Sequence, residues 1–253
     1  MTPSATVHGG DGCVVVGVDG SLASLNAVRW AAAEAVAEDA VLRLVHVTAQ
    51  APDPPDADPV LIRAERAAVD AAGSVRVELA SVIGVPGAIL VGESERAAMV
   101  CIGSRHREHH SGAPPIGPIA LTLAEGAHCP VAIIRTRRDG TPQTDGVISV
   151  VLSDEAGNDD VVHLAMHEGR LRHATVRQID RRALSWIRRY PDVHVETVAA
   201  GTGGHYYRGD AADGGVGLAV VGPGDARRLA TMAAPNCHPI LGYPDCSLLL
   251  VRT

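Results

Sequence analysis

Five apolar runs rich in β-branched residues recur through the first half of the chain: CVVVGVD (13–19), VLRLVHV (41–47), VRVELASV (75–82), AMVCIG (98–103) and PVAIIR (130–135). Short runs of this kind, bounded by Gly, Pro and Asp, predict strands buried within a sheet. Most of the stretches between them have helical spacing. In SLASLNAVRWAAAEAVAEDA, Ser21 is a good N-cap, and Leu25, Val28, Ala32 and Ala35 follow on one helical stripe. PVLIRAERAAVDAAG ends on Gly73, a candidate C′ residue. VPGAILVGESERAA carries Pro86 in its first turn, where a missing N–H is no loss. Strand, helix, strand, repeated in this way, predicts a mostly parallel sheet with right-handed crossovers. The Pro- and Asp-rich stretch AQAPDPPDAD (49–58) reads as a loop.

The pattern lapses in TRRDGTPQTDG and then restarts. GVISVVLSD (146–154) mirrors the first strand and, like it, ends on an Asp. NDDVVHLAMHEGRLRHA reads as a helix, ATVRQID as a strand, RRALSWIRRYP as a helix, and VHVETVAAG and GLAVVG as strands. The final runs CPVAIIR (129–135) and CSLLLVR (246–252) share a Cys, a block of apolar positions and a terminal Arg. Two copies of one α/β unit explain this most economically. The boundaries expected are 12–136 for the first copy, 137–146 for a linker and 147–253 for the second. The second copy is rougher: GTGGHYYRGDAADGG (201–215) holds too much Gly for a good helix.

Composition narrows the picture. Hydrophobic content is 46%, yet Phe is absent and only two Trp occur, so the cores must be built from Val, Leu, Ile and Ala. This suits β-branched strands under closely packed, Ala-rich helices. The net charge of −7, with scattered basic residues, leaves no basic face for nucleic acid. No run approaches the roughly 20 apolar residues of a membrane span, and no signal peptide is expected at the start. The five cysteines mostly sit in or beside apolar runs, which reads as free thiols in the cytoplasm.

VVVGVDGSLASLNAVRWAAAEA (14–35), GVPGAIL (84–90), VCIGSR (100–105) and HCPVAIIR (128–135) resemble, in order and spacing, the universal stress protein family. The resemblance is to its tandem form of actinobacterial type, and it covers nearly all of the first copy but mainly the ends of the second. It implies two tandem open parallel five-stranded sheets in the order 3-2-1-4-5, flanked by helices, the second copy degenerate, paired through their last strands. In such a sheet the winding reverses between strands one and four, and a ligand crevice opens there at the carboxyl ends of the strands. Asp19 and Gly103 both border it. In ATP-binding members of the family an Asp matching Asp19 meets the adenine, as does a backbone position matching Val82. The phosphates lie on a loop of the form G-x2-G-x9-G-[ST], whose glycines let backbone N–H groups approach an anion at a helix N-terminus.

The chain departs from that loop. Gly103 fits the first glycine, followed by Ser104 and Arg105, but His106 stands at the second. Gly117 lies one residue beyond the third, and Pro118 replaces the hydroxyl residue, removing an N–H where phosphate wants one. Three readings of CIGSRHREHHSGAPPIGPIA stay open. The side chains of Arg105, His106, Arg107, His109 and His110 bind phosphate in place of backbone; the three histidines ligate a metal; or the loop is a solvated segment without a ligand. Asp19 likewise either meets adenine or caps the first helix. Asp154 faces the same choice in the second copy. GPGDARR (222–228) reads as a turn into a helix, His238 with Cys246 is too sparse for a metal site, and Tyr206–Tyr207 is either a partner-binding tip or a loop anchor.

No nucleophile comes with a base at recognisable spacing, and neither G-x-x-x-x-G-K-[ST] nor G-x-S-x-G occurs, so no enzyme is expected. The leading expectation is a cytoplasmic regulatory protein of the stress-response type. It has an altered ATP or adenine-nucleotide site at Asp19, Val82, Gly103, Ser104, Arg105, His106 and Gly117, no metal, and an unidentified protein partner. The alternative is an interaction module that keeps the fold and acts by protein contact alone. Neither reading involves nucleic acid or membrane, and both are compatible with a homodimer beyond the internal pairing.

Overall fold

A computed structural model describes residues 12–49, 54–105, 116–151, 158–179, 188–198, 216–223 and 246–252. The first half runs β1 (Cys13–Val18), α1 (Leu22–Ala37), β2 (Val41–Thr48), α2 (Pro59–Ala71), β3 (Arg76–Ile83), α3 (Pro86–Glu93), β4 (Ala97–Ser104), α4 (Pro118–Gly126) and β5 (Val131–Arg135). Among the described residues the second half contributes β6 (Val147–Val151), α5 (Asn158–Leu171), β7 (Val176–Ile179), β8 (Val195–Val198), β9 (Val216–Val221) and β10 (Ser247–Leu250). Each strand expected from the hydrophobic pattern is present. The helix expected at 181–191 lies mostly outside the described residues, as do 201–215.

All ten strands form one sheet in the order β3-β2-β1-β4-β5-β10-β9-β6-β7-β8. The order 3-2-1-4-5 therefore occurs twice, back to back, with the two last strands in the middle. Pairing within each half is parallel, while β5 and β10 join antiparallel, with Leu248 opposite Ile133 and Leu250 opposite Val131. Every residue of β5 and β10 is buried. An unpaired VAIIR edge would be an open template for another strand, and β10 covers it. The join is fastened by side chains too: Ser247 Oγ accepts from the Arg135 N–H (3.0 Å) and donates to the Gln143 carbonyl (2.7 Å).

Alternation along the strands sorts the core into two layers. Val14, Val16, Leu42 and Leu44 face α1 and α2, and the layer continues into the second half through Ile148, Leu218 and α5. Val15, Val45, Val100 and Ile102 face α3 and α4 on the other side. Small residues set the spacing. A Cβ on Gly87 of α3 would come within 3.0–3.2 Å of Thr122 on α4, so the two helices touch through hydrogen there.

The helix starts follow the expected chemistry. Ser21 caps α1, its Oγ accepting from the Ser24 N–H at 3.2 Å, and Pro86 opens α3. Gly73 does not take the C′ role: α2 ends on an extended Ala72, and Gly73 is not left-handed. The linker is more ordered than its lack of periodicity suggests. Arg137 N–H donates to the Thr141 carbonyl (2.8 Å) and Gln143 N–H to the Arg135 carbonyl (2.7 Å), closing a turn with Gly140 at φ 89°. Asn26 of α1 pins that turn by donating to Gly140 O (3.0 Å) and Thr136 Oγ1 (3.1 Å).

Candidate functional site

The winding reversal places the carboxyl ends of β1 and β4 side by side, with Gly17 opposite Ile102. There the chain leaves β1 through Asp19 and a left-handed Gly20 (φ 75°) and turns into α1. A cleft of about 110 Å³ opens between this turn and the facing helices. Its walls are Val45, Val47, Leu90, Ile102, Pro86 and Ile119; its rim carries Asp19, Ser24 and Gly103. The lining is thus an apolar slot with polar groups on one side, the general form of a small-molecule site. A larger depression of about 1080 Å³ lies at the amino ends of β1 to β4. Its charges pair among themselves, Arg43 with Glu93 (2.9 Å) and with Glu78, and Arg76 with Asp39 (3.0 Å). Ligands of open α/β sheets bind at the carboxyl ends, so the smaller cleft is the better candidate.

Asp19 does two things at once. Its Oδ1 accepts from the Ser21 N–H (2.9 Å), which fixes the turn into α1, while its Oδ2 faces Arg105 Nη2 at 3.7 Å. Ser24 Oγ in turn accepts from the Asp19 N–H (3.4 Å) and donates to the Ser21 carbonyl (2.9 Å). Burial alone would push the Asp19 carboxyl up. The Ser21 and Ser24 hydrogen bonds and the Arg105 charge outweigh it and hold the group below the ordinary carboxylate value. Asp19 therefore carries a negative charge at neutral pH and leaves much of its carboxylate exposed. The pair with Arg105 is open to water on both sides and contributes little to stability.

The remaining expected site residues divide. Gly103 borders the cleft, but its lack of a side chain answers to packing. A Cβ there would sit 2.2 Å from the carbonyl carbon and oxygen of Ala23 and 2.5 Å from Ser24 N. Ser104 ends β4 and gives its carbonyl to Thr136 N–H (2.8 Å), a sheet contact. Val82 pairs with Val47 across β3 and β2, one strand away from the cleft wall. Gly117 is the N-cap of α4 in ordinary extended conformation (φ −75°, ψ 169°), with open space where a Cβ would stand. Pro118 opens α4 as its first residue. His106, Arg107, His109 and His110 lie outside the described residues, as do Asp154, Tyr206, Tyr207 and His238. Among the described residues no three His, Cys, Asp or Glu side chains gather as a metal site. Cys13, Cys101 and Cys129 are free thiols; burial raises the pKa of Cys101 and pushes that of Cys129 up to about 12.

Relatives match this chain over nearly its whole length. Universal stress protein Rv2624c of Mycobacterium tuberculosis is 36% identical over 262 residues, covering 94% of this chain and 96% of its own. The chain belongs to the universal stress protein family. Universal stress protein Rv3134c of the same organism is 33% identical over 272 residues, covering 95% of this chain and 96% of its own. The family model itself matches residues 13–135, the half that keeps the clearer strand–helix pattern. A universal stress protein of Archaeoglobus fulgidus covers 94% of the chain at TM-score 0.58 and 11% identity, which extends the likeness of fold across both halves. Another, solved in complex with cAMP, covers 49% of the chain at TM-score 0.40, too loose a fit to carry its ligand across.

What reasoning from sequence missed is the apolar slot. Leu90, Ile119 and Ile102 read as core residues, and nothing in their local pattern separates a residue that fills the core from one that lines its mouth. Ser24 was also passed over, although a Ser in the first turn of an Ala-rich helix was a visible signal.

Proposed function

We propose that this universal stress protein is a regulator that takes an adenine nucleotide, ATP foremost, in the crevice of its first half. The observation that carries the reading is the pairing of an apolar slot with an ionised, half-free Asp19 at its mouth. A flat heterocycle with an amino group suits both: the ring fills the slot between Val45, Leu90 and Ile119, and the amino group donates to the carboxylate. Arg105, already drawn to Asp19, stands where it can turn to phosphate oxygens, and His106 follows it in the chain. Val82, Gly103, Ser104 and Gly117 complete the site through their backbones. The chain then acts by changing what it offers to a protein partner in the cytoplasm, without catalysing a reaction. The division at 137–146 gives it two units, and the nucleotide belongs to the first.

A second reading has its own observation. The described walls enclose about 110 Å³, against about 300–1,000 Å³ for small-molecule pockets in general. Gly103 is explained without a phosphate, and Pro118 withholds an N–H. A protein that has lost its nucleotide and acts by contact alone fits these facts. The test is direct. Nucleotide released from the purified protein is identified by chromatography, and ATP is titrated into the stripped protein by calorimetry. Binding that Asp19→Ala weakens supports the first reading. The absence of both co-purified nucleotide and heat at millimolar ATP overturns it in favour of the second.

A further inference from the structure

A cluster of ionisable side chains that the crevice does not use sits where the two halves touch. α1 of the first half packs against α5 of the second, above the joined sheet. Glu34 of α1 and Glu168 of α5 are both buried, at 2% and 0% exposure. Arg172, one turn beyond Glu168, serves both: its Nε lies 2.7 Å from Glu168 Oε2, and its Nη2 pairs with Glu34 Oε1. The same guanidinium lies over the Trp30 ring, 4.0 Å from its centroid. Glu168 Oε1 has no hydrogen-bond partner among the described residues. His167 Nε2 stands 3.6 Å from Glu34 Oε2 and 3.4 Å from Glu38 Oε1.

The charges do not balance with everything ionised. Three carboxylates, those of Glu34, Glu168 and the more exposed Glu38, face Arg172 and His167, which leaves one negative charge over even with His167 protonated, and burying an uncompensated charge is costly. A single proton on the pair restores neutrality, as in other close carboxylate pairs. The partnerless Oε1 marks Glu168 as its seat. The other surroundings do not supply the missing charge. Cys101, facing from β4, stays a thiol because burial and the two glutamates oppose its ionisation. His163, on the preceding turn of α5, is held towards its neutral form by burial and by His167. The strands beneath present Ile148, Val150, Val176, Leu218 and Val220, which carry no charge.

We propose that the α1–α5 contact is a proton-held clamp between the halves, closed while Glu168 keeps its proton beside Glu34 and loosened when that proton leaves. Burial and then repulsion from Glu34 push the Glu168 pKa up to about 8. A carboxyl whose folded pKa lies above its unfolded value loses its contribution as pH rises between the two, so the clamp weakens into mildly alkaline solution. His167 acts in the same direction. The Glu34 carboxylate beside its Nε2 raises its pKa despite burial, so its contribution is full below the ordinary histidine value and is lost as pH rises through the folded one. The β5–β10 pair holds no group that titrates in that range, so the sheet stays joined while the helices part.

Trp30 is a built-in reporter. The chain has one other Trp, Trp186, and in a Trp186→Tyr background acrylamide quenching of the remaining fluorescence reads the exposure of Trp30 alone. Quenching is expected to rise several-fold across mildly alkaline pH with a midpoint near the raised pKa of Glu168, about 8, at constant far-ultraviolet circular dichroism. Glu168→Gln, which has no such proton to lose, should lose the transition near pH 8 and keep only the smaller rise that His167 contributes. Glu34→Gln, which removes the repelling carboxylate, should also abolish the transition, and it decides the matter if the first variant does not fold. A flat curve in the parent protein, a loss of dichroism in step with the quenching, or the same rise in a folded glutamine variant overturns the clamp.

Discussion

Replacing Gly103 by Ala separates packing from ligand binding at the one loop glycine where the two readings coincide. The added methyl carbon would stand 2.2 Å from both the carbonyl carbon and the oxygen of Ala23, and 2.5 Å from Ser24 N. These atoms belong to the first turn of α1, not to the tip of a pliable side chain, so relief requires the helix to shift away from β4. Overpacking in cores typically costs about 1–3 kcal/mol, and a clash with backbone belongs at the upper end, about 3 kcal/mol. For a chain of this size that is a fall in Tm of roughly 6–12 °C. Gly117→Ala is the matched control. Nothing lies within 4 Å of its would-be Cβ, and its φ of −75° suits any residue. The small loss from Ala at an N-cap and the small gain from a stiffer unfolded chain nearly cancel, leaving less than about 0.5 kcal/mol. Both variants are followed by thermal and urea denaturation without nucleotide. A Gly103→Ala protein as stable as the parent would refute the packing argument and return that glycine to the phosphate loop.

Three further outcomes are expected. Asn26→Ala removes the buried amide that holds Gly140 O and Thr136 Oγ1, costing about 1–3 kcal/mol in urea denaturation; a neutral change would mean that the linker turn does not depend on α1. Asp58 accepts from His46 Nδ1 (2.6 Å) and from the Val60 N–H (2.8 Å) at the start of α2, and these bonds hold its carboxyl below the ordinary value although burial opposes them. Its contribution is therefore present above the ordinary carboxylate value and lost as pH falls through the lower folded one, so Asp58→Ala should flatten the acid limb of stability against pH and cost about 1–2 kcal/mol at neutral pH. A fragment ending at residue 136 should self-associate through the uncovered β5 edge in sedimentation analysis; a stable, dilution-resistant monomer would show that β10 is not needed to protect that edge.

The strands were legible because each is a short β-branched run with turn residues at both ends, and the repeat was legible because β5 and β10 keep the same outline. Their pairing was implied by the family resemblance, while its antiparallel direction was not legible in the sequence. The site was legible only in part. Asp19 could be placed at the end of β1, but the choice between capping α1 and meeting adenine turned on geometry: Ser21 is the cap, and Asp19 accepts from the Ser21 N–H while its other oxygen faces Arg105. Gly103 has two readings that sequence cannot separate: a glycine needed for close approach to a helix leaves the same letter as one needed for an anion. Gly73 misled for a related reason, since a glycine after a helix need not be left-handed when the chain leaves through a turn, here closed by the Val75 N–H on the Ala72 carbonyl (3.0 Å). The clamp was out of reach, because Glu34 and Glu168 are brought together only by the sheet that joins the halves.

α1 connects these findings. It is buried nearly all round, so its faces cannot be divided into core and solvent sides in the usual amphipathic way. Polar residues in such a helix must each be answered by a partner. Ser24 is answered at the crevice by Asp19 and Ser21, Asn26 at the linker turn by Thr136 and Gly140, and Glu34 at the far half by Arg172. Each polar position thus marks a different neighbour: the ligand cleft, the connection and the second unit. A rigid rod that touches all three cannot move at one without loading the others. This gives the rough second half a physical reason to persist even without a ligand of its own: it supplies both the strand that closes the β5 edge and the guanidinium that neutralises a carboxylate buried in the first half.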